Sequence, residues 1–471
     1  MGRNQPPDPP EVRKWSTQPP ERAIGGTPVI VQTRRYRLLT PLFGGGVEAG
    51  ANDSLEQTLI RGSEIRGQLR FWWRAIRGWQ WGSDLEVMYK HESEIWGAAS
   101  DAKNHHQADN NGNEADESKE RKWNGVVQIS VTIQDKGQTL KPFEPYIKEG
   151  KPRLRTHKDI PEYAAFPLRP PEEQLRKERE QTLVNDLRKD IVFTLEITFV
   201  EQFFDDVQAA LWAWETFGGV GARTRRGFGV ISLDAIDGKK EGINLPHAHE
   251  KEARAWLEGE LKRWIKKSDY PENVPHLTLD MPVHIIDLSC APIVAWKNII
   301  DKLQEFRQAP HGRERRSKWP EAEAIREITG YRLQKPYRKL NRLGHPQKFP
   351  RAVFGLPIVF HFKDEDKKHP LDHNADPPEM ILQGADVEGQ ERWASPLILR
   401  PLICQEGRAL SMACVLQGSQ LPAKMLLKPT NARLSSYEVN LAQTRLTADE
   451  AKTFPVQGQP NVLQAFLDFL K

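Results

Sequence analysis

Four glycines and three arginines concentrate in one short run, Gly219-Val220-Gly221-Ala222-Arg223-Thr224-Arg225-Arg226-Gly227-Phe228-Gly229. Glycine lets backbone N–H groups turn toward an anion with no Cβ in the way, and arginine adds planar, multi-donor contacts to phosphate. A helix end followed by a hairpin turn would need only one or two glycines. The run therefore predicts a phosphate-contacting loop. It is not a mononucleotide P-loop, because no GKS or GKT is present and the loop follows a helix instead of opening one.

Two further basic stretches point the same way. On a helix expected from Ser63 to Arg77, Arg66, Arg70, Arg74 and Arg77 recur at i, i+4, i+8 and i+11. Residues 61–77 hold five arginines, Arg61 included, and a single acid, Glu64. Solvated helix faces normally mix signs, with Glu or Asp partnering a cation one turn away. Those partners are missing here, so a basic ridge aimed at phosphates is expected, with Ser63 at its start. The third stretch, Tyr331–Gly355, carries Arg332, Lys335, Arg338, Lys339, Arg342, Lys348 and Arg351 without an acid. Tyr331, Tyr337 and Phe349 interleave them, which suits a single strand whose bases stack while charges follow its backbone. Arg307, Arg313, Arg315, Arg316 and Lys318 extend this character upstream.

Catalytic constellations are weak by comparison. His369 and His373, flanked by Asp366, Asp372 and Asp376, have helical ligand spacing, but Pro370 breaks that helix. His105 and His106 lie in a polar, low-complexity insertion. Thr40 and Ser63 read as phosphate-contacting or capping hydroxyls before nucleophiles. No serine elbow, zinc deaminase signature or dinucleotide fingerprint occurs, so no catalytic residue, metal or cofactor is expected.

The elements that must position these residues follow from periodicity. Val29–Leu39 has strand composition and runs into Thr40-Pro41-Leu42-Phe43-Gly44-Gly45-Gly46, where the glycines Gly44, Gly45 and Gly46 permit backbone conformations closed to other residues. Helix 63–77 has its apolar stripe at Ile65, Leu69, Trp72, Trp73 and Ile76. Strands are expected at 126–133 and 190–200, a helix at 204–217 and a closing strand at 228–236, with 135–190 a hairpin or loop excursion plus a short helix. That strand–helix–strand–strand–helix–strand order is ferredoxin-like. The organisation expected is a disordered arm at 1–26, a first module at 27–237, a connecting helix within 238–277 and a second module at 278–471. In the second module, strands are expected at 276–288, 352–362, 397–405 and 410–417, and helices at 294–307, 320–329 and 461–470. The fold class is thus α+β: two tandem ferredoxin-like (RRM-like) modules with long loop insertions, the second repeating the first with shuffled insertions.

Composition sets the frame. The chain has 471 residues with 38% hydrophobic and 28% charged, and a net charge of +4 that hides strongly basic faces balanced by acidic loops. Residues 101–125 are almost devoid of apolar side chains and read as a disordered insertion. No stretch approaches the ~20 apolar residues of a membrane span, and the Pro-rich start lacks the apolar core of a secretory signal. Cys290, Cys404 and Cys414 lack CxxC spacing, so a reducing, cytoplasmic setting without disulfides is expected.

Three segments together resemble the RAMP superfamily of CRISPR proteins. The G-h-G-x5-G-h-G loop at 219–229 (h, hydrophobic) is similar to the signature loop of that superfamily. The 39–45 turn and the run IRGSEIRGQLRFWWR at 60–74 resemble, more narrowly, the first-subunit family of the type III-B (Cmr) effector complex, and Arg392-Trp393-Ala394-Ser395-Pro396-Leu397-Ile398-Leu399-Arg400-Pro401 is similar to a motif of its C-terminal half. The resemblance implies a non-catalytic, RNA-binding subunit of an antiviral ribonucleoprotein. It would contact the 3′ region of a guide (CRISPR) RNA, target RNA and neighbouring subunits. By position, Arg61, Arg66, Arg70 and Arg74, with the 44–46 and 219–229 loops, become the RNA-contacting candidates. The second half has no comparable glycine loop, so any RNA role there falls to 331–351. Two rivals remain open at this point. One is a metal-independent CRISPR RNA processing endonuclease with His91 or His157 as acid–base groups. The other is a protein-binding scaffold whose Trp-rich helices 63–77 and 248–267 bury against partners.

Overall fold

The computed structural model describes residues 23–24, 27–44, 59–98, 125–149, 151–169, 186–267, 269–311, 316–331, 347–362, 364, 374–385, 391–431 and 434–471. Of the arm expected at 1–26, Ala23–Ile24 instead pairs as a short strand with Thr27 and Pro28, and the rest up to 26 lies outside the described residues, as do 101–124 of the insertion expected at 101–125.

The first half is built on four strands: β1 (Thr27–Leu38), β2 (Gln128–Asp135), β3 (Val192–Val200) and β4 (Ile231–Ile236). They pair antiparallel in the order β4-β1-β3-β2. Alternation decides the register. In β1, Arg34, Tyr36 and Leu38 are buried while Arg35 and Arg37 are exposed; in β3, Phe193, Leu195, Ile197 and Phe199 all lie in the core. Three helices join this core: α1 (Gly62–Arg77), α2 (Leu85–Trp96), through Met88, Ile95 and Trp96, and α3 (Phe204–Phe217). The element order and strand order are those of a ferredoxin-like unit. α2 was absent from the periodicity reading because its Leu85, Val87 and Tyr89 are exposed, which leaves no clean apolar stripe. Helix α4 (Glu250–Trp264) then covers the first-half core with Ala253, Leu257, Leu261 and Trp264.

The second half departs from a simple repeat. Strands β5 (Val283–Cys290), β6 (Leu397–Ile403) and β7 (Ala409–Val415) form a three-stranded antiparallel sheet in the order β5-β7-β6, with helix α5 (Pro292–Gln308) on one face. A separate antiparallel sheet of Ile358–Phe360, Met380–Gly384, Lys424–Pro429 and Tyr437–Asn440 packs against helix Glu321–Thr329 in its own apolar cluster. The strand expected at 352–362 shrinks to Ile358–Phe360, because Pro350–Phe354 is a 3-10 turn ended by Gly355 at φ 113°.

β6 and β7 hold the halves together. Every residue of both is buried. Ile398, Leu402, Leu410, Met412 and Cys414 face the first-half core, whereas Leu397, Leu399, Ala413 and Val415 face α5. A sheet covered on both sides has no solvent face, so its strands do not alternate; their polar members, Arg400 and Ser411, are buried and hydrogen-bonded.

Burial also governs the cysteines. Cys404 and Cys414 are buried, which pushes both thiols up to about 12; Cys290 is half-buried and raised for the same reason. The thiolate is the reactive form, so native protein at pH 8 is expected to alkylate at Cys290 first and at the other two only on unfolding. Peptide mapping by mass spectrometry checks this; early label on Cys404 or Cys414 contradicts it.

Candidate nucleic-acid interface

The glycine loop links α3 to β4 and is stitched to the turn after β1. Val220 N–H donates to Gly229 O at 2.9 Å, Ala222 N–H to Phe43 O at 2.7 Å and Gly229 N–H to Pro41 O at 2.9 Å. Thr40 Oγ1 accepts from Val230 N–H at 2.9 Å, which makes that hydroxyl a loop cap. Gly221 N–H donates to the Glu64 carboxylate at the start of α1. Arg226 and Gly227 N–H groups close the 3-10 turn on Arg223 O and Thr224 O. The expectation that glycine N–H groups of this loop open toward an anion is therefore corrected for those named: they donate within the protein. The glycines serve close approach. Gly229 has φ 65°, and a Cβ there would run into the Val220 carbonyl; one on Gly227 would strike the Trp296 indole.

Two of the loop's arginines are spent on the second half. Arg225 donates to Ser395 O and lies 5.3 Å over the Phe71 ring. Arg226 donates to Leu397 O at 2.7 Å and Phe354 O at 2.9 Å, while Trp296 Nε1 donates back to Arg226 O at 2.7 Å. From the other side Arg400 of β6, fully buried, donates to Gly218 O and, at 3.0 Å, to Glu215 O. Those carbonyls end α3, where a cation meets both orphan acceptors and the negative end of the helix dipole. Burial pushes Arg225 down to about 10 and Arg226 and Arg400 to about 9, values that still leave all three protonated at neutral pH.

The third arginine of the loop, Arg223, makes no side-chain hydrogen bond to the second half among the described residues. It sits at the left-handed φ of 61°, half-buried, with its Nε buried and lacking a hydrogen-bond partner. Burial lowers its pKa and the exposed Arg392 beside it lowers it further. Arg307, Arg223 and Arg225 together lower Arg226 in turn. Beside the turn after β1, Arg188 pairs its backbone with Leu42 and also has an unpartnered Nε. Cations gathered where each makes its neighbours harder to charge are a place for an anion. Gly44 and Thr224 belong to the same stitched unit, a Cβ on Gly44 lying 3.4 Å from Ala222 Cβ.

The arginine ridge of α1 finds acids after all, from other elements. Arg70 Nε lies 2.6 Å from Glu92 of α2, Arg74 shares that carboxylate, and Arg77 reaches Asp206 of α3 at 3.0 Å. Arg66 donates to Trp96 O at 2.8 Å and Val127 O at 2.9 Å. Ser63 is exposed and Arg61 half-buried at the start of the helix. Reversing Arg66, Arg70 and Arg74 together, which the sequence alone offers as a fold-neutral test, would set new carboxylates against buried Glu92. Gly45, Gly46, Arg332, Lys335, Arg338, Arg342 and Lys339 lie outside the described residues. Lys348 is turned inward, donating to Arg445 O at 2.7 Å and Ala442 O at 3.1 Å.

Three residues central to this geometry went unassigned: Glu92, Arg392 and Arg400. Arg400 carried a signal, since an arginine inside an otherwise apolar strand must be partnered. Among the acid–base suspects, His91 stacks on Trp81 at 5.2 Å with Nδ1 3.3 Å from Glu94, and His157 Nδ1 accepts from Asp159 N–H at 3.2 Å. Trp72, Trp73 and Trp264 are buried in the protein's own core, so they present no docking face. Among the described residues no group of His, Cys, Asp or Glu is arranged to hold a metal ion, and no helix is long and apolar enough to cross a membrane.

Residues 35–232 match the model of the RAMP superfamily. The match covers less than half of the chain and lies within the first half. Its boundaries run from β1 to the start of β4 and enclose the glycine loop. No curated protein matches the chain. Among solved structures, it is similar to Cmr1 from Pyrococcus furiosus (apo form), at 15% identity over 87% of this chain and 98% of that chain, TM-score 0.44. It is also similar to a chain of a type III-B Cmr-beta structure bound to cognate target RNA and AMPPnP in the presence of ssDNA, at 13% identity over 94% and 98%, TM-score 0.44. A Cmr-beta structure bound to cognate target RNA gives 12% identity over 93% and 99%, TM-score 0.42. In the matched segment, α1, the turn after β1 and the glycine loop meet on one edge, against β6 of the second half.

Proposed function

We propose that this chain is a non-catalytic RNA-binding subunit of a cytoplasmic type III-B CRISPR RNA-guided complex, contacting the 3′ region of the guide RNA, the target RNA, or both, and neighbouring subunits. The observation that carries the reading is the arginine cluster at the glycine loop of the matched segment, where Arg223 has an unpartnered Nε and Arg392 beside it. The match of residues 35–232 to the RAMP superfamily supports it.

Affinity would come largely from phosphate neutralisation, so binding should weaken steeply with salt, with a slope of about −0.7 per single-strand phosphate contact. The double variant Arg223→Ala/Arg392→Ala is expected to flatten that slope by about 1.4 and weaken retention of single-stranded RNA by about tenfold or more at physiological salt. Filter binding across a salt series reads both. An unchanged slope with normal circular dichroism would remove the loop from the RNA site. RNA retained by the tagged chain purified from its host should be discrete guides with CRISPR-repeat ends. Discrete cleavage of repeat RNA by the purified chain in a chelator would favour the processing enzyme instead.

A further inference from the structure

Beside the glycine loop, the last turn of α5 brings Arg307 to the 3-10 turn Pro350–Phe354 and to Tyr163 of the short helix Glu162–Ala165. The Arg307 guanidinium lies 5.4 Å over the Phe354 ring and 5.7 Å over the Tyr163 ring. Among the described residues no carbonyl or carboxylate accepts from it. Its Nε is enclosed without a partner. Its two terminal nitrogens and the Tyr163 hydroxyl are equally unpartnered among the described residues, but they keep accessible surface on half-buried side chains.

The charge around Arg307 does not balance. Arg226 reaches Phe354 O at 2.9 Å, and Arg351 donates to Arg307 O at 3.0 Å. The carboxylate that acts on Arg307 is that of Glu321, which is fully buried and already holds the Arg351 side chain and backbone N–H, each at 3.0 Å. Three guanidinium groups thus stand against one acid. Burial pushes the Arg307 pKa down; Tyr163 and Glu321 oppose that, and Arg351 adds to it. An enclosed cation without a counter-ion of its own is costly, and an anion relieves the cost. The free polar atoms here are donors. A guanidinium fork matches two oxygens of a phosphate, and the Tyr163 hydroxyl, close enough to act on both Arg307 and Arg226, offers a third hydrogen bond. Arg226 and Arg351 add their field without giving up their partners.

We propose that Arg307, with the Tyr163 hydroxyl, holds a phosphate group, at a site separate from the Arg223 and Arg392 pair. The phosphate is a phosphodiester of an RNA strand or a free phosphate ion. In the first case the site rests on the RNA-binding reading and extends it across the junction of the two halves; in the second it stands alone.

Two measurements on the full chain test it, with the parent, Arg307→Met and Tyr163→Phe: thermal unfolding in potassium phosphate, chloride and acetate at matched ionic strength, and filter binding of single-stranded RNA across a salt series. Phosphate at ten times its dissociation constant is expected to raise the parent's midpoint by about 3–6 °C over chloride and acetate. That rise should vanish in Arg307→Met and shrink in Tyr163→Phe. Without phosphate the methionine variant should melt no lower than the parent, because it keeps the stem and loses an uncompensated cation. Arg307→Gln takes its place if it fails to fold. An RNA salt slope flatter by about 0.7 in the Arg307 variant, with or without the phosphate rise, assigns the phosphate to the strand. An Arg307-dependent phosphate rise with an unchanged slope, or with a parent that binds no RNA, assigns it to the free ion; the last result would sink the RNA-binding reading and leave this site standing. The site is overturned if no phosphate-specific rise depends on Arg307 and the RNA slope is indifferent to it, an outcome that leaves the Arg223 cluster untouched.

Discussion

Arg400→Ala is expected to lower stability by about 3–5 kcal/mol. Two losses add. Truncating a fully buried side chain leaves a cavity, and the carbonyls of Glu215 and Gly218 lose their donor in a place water does not reach. At about 2–4 °C per kcal/mol for a large domain, the thermal midpoint should fall by about 6–20 °C. Arg400→Met separates the causes. It keeps the aliphatic stem and abolishes a buried charge, itself expensive, so it should recover part of the loss. Because Arg400 ties β6 to the end of α3, the alanine variant should also expose both halves to proteolysis together. A midpoint within 2 °C of the parent would mean that the shared apolar core, and not this cation, joins the halves.

Gly229→Ala is the second. The glycine has φ 65°, a left-handed conformation that costs other residues about 1–2 kcal/mol, and its Cβ would meet the Val220 carbonyl. The two strains together should exceed about 3 kcal/mol, and RNA retention should fall because the displaced loop carries Arg223. Gly238→Ala is the control. It has φ 76°, but nothing lies within 4 Å of the added Cβ, so it should cost only about 1 kcal/mol. Urea titration of the pair reads the difference. Equal losses would show that backbone conformation alone, and not the close approach of Gly229 to Val220, sets the glycine requirement.

The ridge of α1 shows why charge patterns mislead when taken along the chain. Within residues 61–77 the arginines outnumber acids five to one, yet Glu92 and Asp206 reach three of them from other helices. A neutralised arginine can still exchange partners with a phosphate, but it must first give up a short, partly buried ion pair. Arg223 gives up nothing of the kind at its Nε. That difference, invisible in composition, moves the expected centre of RNA contact from the helix to the loop.

Periodicity by itself located most of the elements of the first half, α2 excepted. The alternation in β1 and β3, the stripes of α1 and α3 and the glycine punctuation leave only one order of packing, because each element has one apolar face to bury. The glycine requirement at 219–229 was legible too, though its reason was not. Positive φ and close approach are properties of a loop folded onto the 39–44 turn, and no local pattern distinguishes them from anion binding. The second half was harder for a physical reason. β6 and β7 are buried on both faces, so their sequences do not alternate and give no face to read, and four short strands form a sheet of their own. Which arginines hold the fold and which remain for a ligand was decided only by tertiary structure. An arginine's role depends on the carbonyls and carboxylates that distant segments bring within 3 Å, and those neighbours come from positions as far apart as Glu215, Leu397 and Phe354.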